Sequence, residues 1–378
     1  MLRQTSDTKL SRPCPMKLKT AITSLTIASV IALIIIVAPI MAQQSMQFDP
    51  ISQTQRVVSE EDNKILARVT SQEGISSSPQ LQSQLNEFVE LEGFGSIAFR
   101  SPLKSSSKKA TPIVLFHSIF GGVSHRNFRE LLSSLDATKA PVYIMDLPGI
   151  GRSAKPKTTY TLDKIDQFIT QFLTKAVGRP AHVVADGATT LSALKVASQQ
   201  PNLVKSLVII SPNGIKTLAS PPSEAENQAY QQALRTDNAS IWVNLLLPDT
   251  IRFFYQAAIS QPSFFKKNVG TFIEEGLIQR TNLEQRWVSY AFIFGQFFRP
   301  FAEASQNIKV PVLAIFGADY KTIAGNPPIE AERAEEFRRI RPDFKYLEIP
   351  QASGLVAREQ PEAVTRAIVE FSCAGNCS

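Results

Sequence analysis

The chain has 378 residues, of which 43% are hydrophobic and 8% aromatic, which suits a large buried core and excludes a fibrous or wholly disordered protein. Its formal charge of +7 is unevenly placed, because residues 1–42 hold Arg3, Lys9, Arg12, Lys17 and Lys19 against Asp7 alone. The small excess left for the body argues against nucleic acid as a partner.

The first predicted element is a targeting segment at 1–42. Met16-Lys-Leu-Lys19 forms a positive start, and Ala21 to Ala42 holds no charged residue. Its densest apolar part, Ile31 to Val37, is followed by Pro39 and then Ala42 before Gln43, as in a secretory signal cleaved after a small residue. The uncharged run is also long enough to stay uncleaved as an anchor across a core of about 30 Å. Both alternatives put the body outside the cytoplasm, secreted, periplasmic or lumenal, with a membrane contacted only through this segment. Residues 43–85 are polar and without strong periodicity, and read as a flexible lead-in.

The body begins at 86. Phe88-Val-Glu-Leu-Glu92 and Ser96-Ile-Ala-Phe-Arg100 alternate around Gly93 and Gly95, which predicts a hairpin. Solid apolar strands are expected at Pro112–His117, at Pro141–Asp146, in Ala181–Thr190 where a short strand enters a tight turn, and at Val204–Ile210, with helices at Phe128–Leu135, Leu162–Val177 and Leu191–Gln199 between them. Such alternation predicts a mostly parallel sheet covered on both faces. Residues 213–305 interrupt it with helical, aromatic-rich sequence, and 306–372 resume it with a strand at Val310–Phe316, a helix near Glu330–Ile340, a strand at Lys345–Ile349 and a helix at Glu362–Phe371. The 373–378 tail carries Cys373 and Cys377, whose spacing permits a small disulfide loop in an oxidising compartment. Two thiols without a nearby histidine supply too few ligands for a metal, and neither metal nor cofactor is expected.

Four segments in order carry a family resemblance. These are Ile113-Val-Leu-Phe-His-Ser-Ile-Phe-Gly-Gly122, Asp146-Leu-Pro-Gly-Ile-Gly-Arg-Ser153, the Ala181–Thr190 strand and turn followed by Gln200-Pro-Asn-Leu-Val204, and Ile349-Pro-Gln-Ala-Ser-Gly-Leu-Val-Ala-Arg-Glu-Gln-Pro361. From about 86 to 372 the chain resembles the α/β-hydrolase fold, in the subgroup with a helical cap between strands six and seven. The resemblance implies an oxyanion loop in the Ile113–Gly122 segment, a nucleophile elbow within Ala181–Thr190, an acid after the seventh strand and a histidine in the last segment.

At each reactive position the chain departs from that pattern. Gly187 stands at the elbow centre, Tyr320 at the acid and Gly354 at the histidine, with Asp319 one place early. The three histidines of the chain, His117, His125 and His182, all precede the cap. His117 resembles the structural histidine of the oxyanion loop, His125 reads as a solvated loop residue, and His182 as packed or at a strand edge. The oxyanion donors would be the N–H groups of Ile119 and Ala188, with Ser118 where the family has glycine. Weak substitutes for the lost chemistry are Asp186, Asp319 and His117, with Tyr320 and Ser118 beside them. Asp186 is adjacent to the elbow centre and is expected either to line the old cavity or to cap the next helix.

Loss of serine or histidine costs about 10⁶ in turnover where it has been measured in subtilisin, on the order of 8–9 kcal/mol of barrier. Catalysis by the usual cycle is therefore not expected. The sequence instead suggests a non-catalytic binding module, comparable by resemblance to neuroligin-like adhesion domains and the N-myc downstream-regulated group. Its ligand would be an apolar small molecule or a protein partner. An apolar pocket roofed by the cap is expected around Phe120, Trp242, Phe254, Trp287 and Phe294. The alternative is an ester, epoxide or carbon–halogen hydrolase with a relocated catalytic constellation.

Overall fold

Short, wholly apolar runs between amphipathic helices can satisfy their backbone only by pairing side by side under helical cover. The computed structural model describes residues 85–107, 109–120, 123–215, 221–236, 239–319 and 329–373. The targeting segment at 1–42, most of the lead-in at 43–85, Tyr320, Cys377 and the side chain of Cys373 lie outside the described residues.

Eight strands form one sheet: β1 (Glu87–Leu91), β2 (Gly95–Arg100), β3 (Ile113–Phe116), β4 (Val142–Met145), β5 (Ala181–Asp186), β6 (Val204–Ile210), β7 (Val312–Gly317) and β8 (Lys345–Ile349). Their order is β1-β2-β4-β3-β5-β6-β7-β8. The β1–β2 and β2–β4 pairs are antiparallel, and every pair from β4–β3 to β7–β8 is parallel. β3 and β7 are buried along their whole length, because helices cover both faces of the sheet there.

Helices α1 (Arg129–Ala137), α2 (Leu162–Phe172) and α3 (Thr189–Gln199) alternate with the first parallel strands. The Thr161 hydroxyl accepts from Lys164 N–H and caps α2. α2 runs on as one π-helical turn, Leu173–Val177, before Gly178 at φ 69° ends it, so the helix expected to reach Val177 changes its winding in the last turn. Between β6 and β7 lies the cap, with α4 (Glu224–Thr236), α5 (Ser240–Leu245), α6 (Pro248–Ala258), α7 (Pro262–Arg280) and α8 (Arg286–Ile293). Proline begins both α6 and α7, where its missing N–H costs nothing. α6 and α7 pack through Tyr255 stacked on Phe272 at 4.2 Å. α9 (Ile329–Ile340) and α10 (Pro361–Cys373) complete the fold. Among the described residues no helix is long and apolar enough to cross a membrane.

Two apolar clusters fill the space on either side of the sheet. One gathers Val114, Phe116, Val183 and Ala185 with α2, α3 and the cap. The other gathers Leu115, Val184, Val208 and Ile315 with α1 and α10. β5 contributes to both, so Asp186 and Gly187 emerge at the end of a strand held from both sides.

Candidate functional site

β5 ends at Asp186 and α3 begins at Thr189, leaving Gly187 and Ala188 to reverse the chain. Gly187 takes φ +57°, a left-handed conformation that costs a side-chain-bearing residue about 1–3 kcal/mol. The turn is held by Gly187 N–H donating to Ile210 O at 2.9 Å. The Thr189 and Thr190 hydroxyls donate back to Asp186 O and Gly187 O at 2.8 and 2.6 Å. They allow α3 to start two residues earlier than its apolar pattern suggests.

The space in front of Gly187 is taken by a neighbour. A Cβ built on it would lie 2.2 Å from Ser118 Oγ and 3.0 Å from Ser118 Cβ. The space in front of the elbow is thus occupied by a hydroxyl from the facing loop. Ser118 is half-buried, and its hydrogen bond among the described residues is made by its carbonyl, not by its Oγ.

The backbone under Ser118 is fixed by His117. Its Nδ1 lies 2.8 Å from Ser118 O, while Nε2 accepts from Leu147 N–H at 3.1 Å. These partners require a proton on Nδ1 and none on Nε2, a neutral tautomer. Burial pushes the imidazole down to about 4, only partly opposed by Asp146. His117 is a buried strut and has no nitrogen free to act as a base.

His125 is corrected by the structure. Read as a solvated loop residue, it is instead buried, with Nδ1 2.8 Å from Asp146 Oδ1. Its backbone N–H donates to the same oxygen at 2.9 Å, and Arg152 N–H donates to Oδ2 at 2.8 Å. Burial alone would raise the Asp146 carboxyl, but His125 and, less strongly, His117 hold it far below the usual carboxylate range. A Cβ on Gly151 would fall 2.1 Å from Asp146 Oδ2, so only glycine closes this turn. The Ser153 hydroxyl donates to Asp146 O and accepts from Ala98 N–H, tying the turn to β2. His182 is half-buried near the start of β5 and lies 2.8 Å from Ser206 Oγ. Four residues of strand, roughly 13 Å, separate it from Asp186.

Asp186 does not cap α3, whose N-terminus has no side-chain cap. Protein surrounds its carboxyl, although the residue keeps some exposure. Burial raises it to about 7, against a lowering contribution from Gly187 N–H. Asp319 is exposed, and its N–H donates to Ala352 O at 2.9 Å. Gly354 offers only its backbone to the site, with its carbonyl accepting from Ser211 Oγ at 3.1 Å.

The loop that should deliver a histidine instead delivers two charges to the cap. Arg358 is buried, with Nη1 3.0 Å from Glu275 Oε2 on α7 and Nε 3.3 Å from Glu130 Oε2 on α1. Arg129 closes the cluster at 2.8 Å from Glu275 and 2.7 Å from Glu130. Burial would lower the Arg358 guanidinium, but Glu275 and Glu130 raise it and keep it charged. Glu359 Oε1 accepts from Ser260 N–H and Oγ at the end of α6, while Oε2 accepts from Ser353 N–H. Sequence reasoning missed both residues. Their one signal is a charged pair directly following buried Val356 and Ala357.

The aromatic residues are dispersed. Phe120 meets Phe254 and Phe292 edge-on at 5.8 and 5.2 Å. Trp242 and Trp287 are buried in the core, and Phe294 packs against Tyr230. The cavity bounded by Phe120, Leu246, Phe254 and Tyr255 has about 10 Å³, room for at most one water. Among the described residues no group of three or more His, Cys, Asp or Glu side chains could hold a metal ion.

Residues 111–319, more than half of the chain, match the family described as alpha/beta hydrolase fold. No similar sequence is found among curated proteins. Of the solved structures that share the fold, a membrane phospholipase A described as a bacterial virulence factor superposes with a TM-score of 0.58 at 16% identity. That match covers 92% of this chain and 99% of the phospholipase. A meta-cleavage product hydrolase from Pseudomonas fluorescens IP01 gives 0.58 at 16% identity, over 77% and 99% of the two chains. A thermophilic esterase from Thermogutta terrifontis gives 0.57 at 18% identity, over 76% and 98%. With its sheet order, its elbow between β5 and α3 and its cap between β6 and β7, the chain belongs to the α/β-hydrolase fold family.

Proposed function

We propose that this chain is an extracytoplasmic member of the family that binds a molecule without running the serine–acid–histidine cycle. The occupant of the site would be an apolar small molecule or a segment of a protein partner. One observation carries this: the elbow has no side chain, and none of the three histidines can serve it. His117 has both nitrogens engaged, His125 is buried on Asp146, and His182 sits at the far end of β5. Without an imidazole, neither activation of a hydroxyl nor protonation of a leaving group proceeds by the family's route. The uncharged run at 21–42 and the Cys373/Cys377 pair support the location. We take 213–305 as the cap and the flanking 86–212 and 306–372 as the core.

A second reading, a hydrolase with a relocated constellation, is supported by the hydroxyl of Ser118 in the nucleophile's space and by Asp186, raised to about 7 nearby. The fold-sharing phospholipase and esterases also favour it. Purified full-length chain is assayed with p-nitrophenyl butyrate and a fluorophosphonate probe. The expected result is no turnover above the protein-free rate, with any label confined to Ser118. Turnover in the ordinary enzyme range of about 1–10³ s⁻¹, lost in Ser118→Ala or Asp186→Asn, would overturn the binding reading in favour of the second.

A further inference from the structure

Ser118 combines a fixed backbone with an uncommitted side chain. Its carbonyl is held by His117 Nδ1 at 2.8 Å, and His117 is held by Leu147 N–H. Both chain neighbours, His117 and Ile119, are buried, while Ser118 itself remains half-exposed. Its Oγ stands 2.2 Å from the point where a side chain on Gly187 would begin. A hydroxyl used only for packing or turn formation would bond to a nearby carbonyl, as those of Thr189 and Thr190 do a few residues away. Ser118 Oγ makes no such bond among the described residues and its side chain is half-exposed, so it is left available. The N–H groups of Ile119 and Ala188, next in chain to Ser118 and Gly187, likewise have no protein acceptor among the described residues.

We propose that Ser118 Oγ has taken over the nucleophile's position from the facing loop, and that it adds reversibly to a small molecule with a trigonal electrophilic centre bearing oxygen, an aldehyde or ketone. In that step the Oγ lone pair forms a bond to the carbonyl carbon, and the carbonyl π pair moves onto its oxygen. The hydroxyl proton passes through water to that oxygen, so nothing is oxidised and nothing leaves. The Ile119 and Ala188 N–H groups are the donors available to the new oxyanion. Because no imidazole is at hand to protonate a leaving group, the sequence of steps stops at the adduct. This rests on the reading of the site as one kept for binding.

Phenylboronic acid is the probe, since boron accepts the same lone pair and becomes tetrahedral with loss of the hydroxyl proton to solvent. ¹¹B NMR of the full-length chain should show a tetrahedral signal that saturates with boronate. In Ser118→Ala, checked for unchanged circular dichroism and melting, affinity should fall by about tenfold or more. Absence of a tetrahedral signal in the native chain, or its persistence in Ser118→Ala, would overturn the proposal. Ester turnover accompanied by an adduct at Ser118 would remove the binding reading and leave the assignment of Ser118 standing.

Discussion

Returning a serine to the elbow should be penalised twice, and one of the two penalties should vanish when Ser118 is cut back. Gly187→Ser places a side chain at φ +57°, costing about 1–2 kcal/mol in backbone strain. Its Cβ also falls 2.2 Å from Ser118 Oγ and 3.0 Å from Ser118 Cβ. Ser118 can turn its hydroxyl away, which limits this second cost to roughly 1 kcal/mol of rotamer strain and lost packing. Ser118→Gly alone should cost less than about 1 kcal/mol, through added chain entropy. The double variant should then be more stable than the sum of the single effects by about 1 kcal/mol. Urea unfolding of all four proteins measures this, because at a slope of about 3 kcal/mol/M that coupling moves the midpoint by roughly 0.3 M. Strict additivity would mean that the two side chains do not compete for one space, and the displaced-hydroxyl argument would fail with it.

Asp186 should make stability depend on pH in an unusual direction for a carboxylate. Its folded value, raised to about 7, lies above the unfolded one, so the stability it allows is complete below about 4 and is lost as pH rises through 7. Asp186→Asn should therefore gain on the native chain between pH 4 and 7, by at most about 4 kcal/mol, read from denaturation midpoints. A constant difference across that window would contradict the burial argument. Removing Arg358 should be costly for a separate reason, since buried Glu275 and its neighbour Glu130 are then left to share Arg129 alone. Arg358→Ala should lose about 3–5 kcal/mol, while the paired Arg358→Met and Glu275→Met change should recover most of it. Equal losses in both proteins would show that packing, and not charge pairing, holds the loop to the cap.

The strands and helices were legible because burial on two faces writes unbroken apolar runs, as in Ile113–Phe116 and Val204–Ile210. The Gly187 turn between β5 and α3 and the Asp146 turn were legible because the fold's connections have fixed lengths. The contents of the site were less so. Whether Ser118 would fill the space at Gly187 depends on two loops far apart in sequence meeting within a few ångströms. His125 looked like a surface residue because its partner, Asp146, lies across the sheet end. Of the five aromatic residues grouped by composition, Phe120 and Phe254 share a wall while Phe294 packs against Tyr230, since ring content alone does not fix which rings meet. Arg358 and Glu359 were missed because charges following an apolar stretch ordinarily point to solvent.

Those two side chains bear on any attempt to design an esterase on this scaffold. Serine, aspartate and histidine placed at 187, 320 and 354 would supply the three residue types, but the segment carrying 354 would remain moored to α6 and α7 through Glu359 and Arg358. A new imidazole would hang from a segment whose tilt is dictated by the roof overhead. Such a design would have to begin by cutting those moorings.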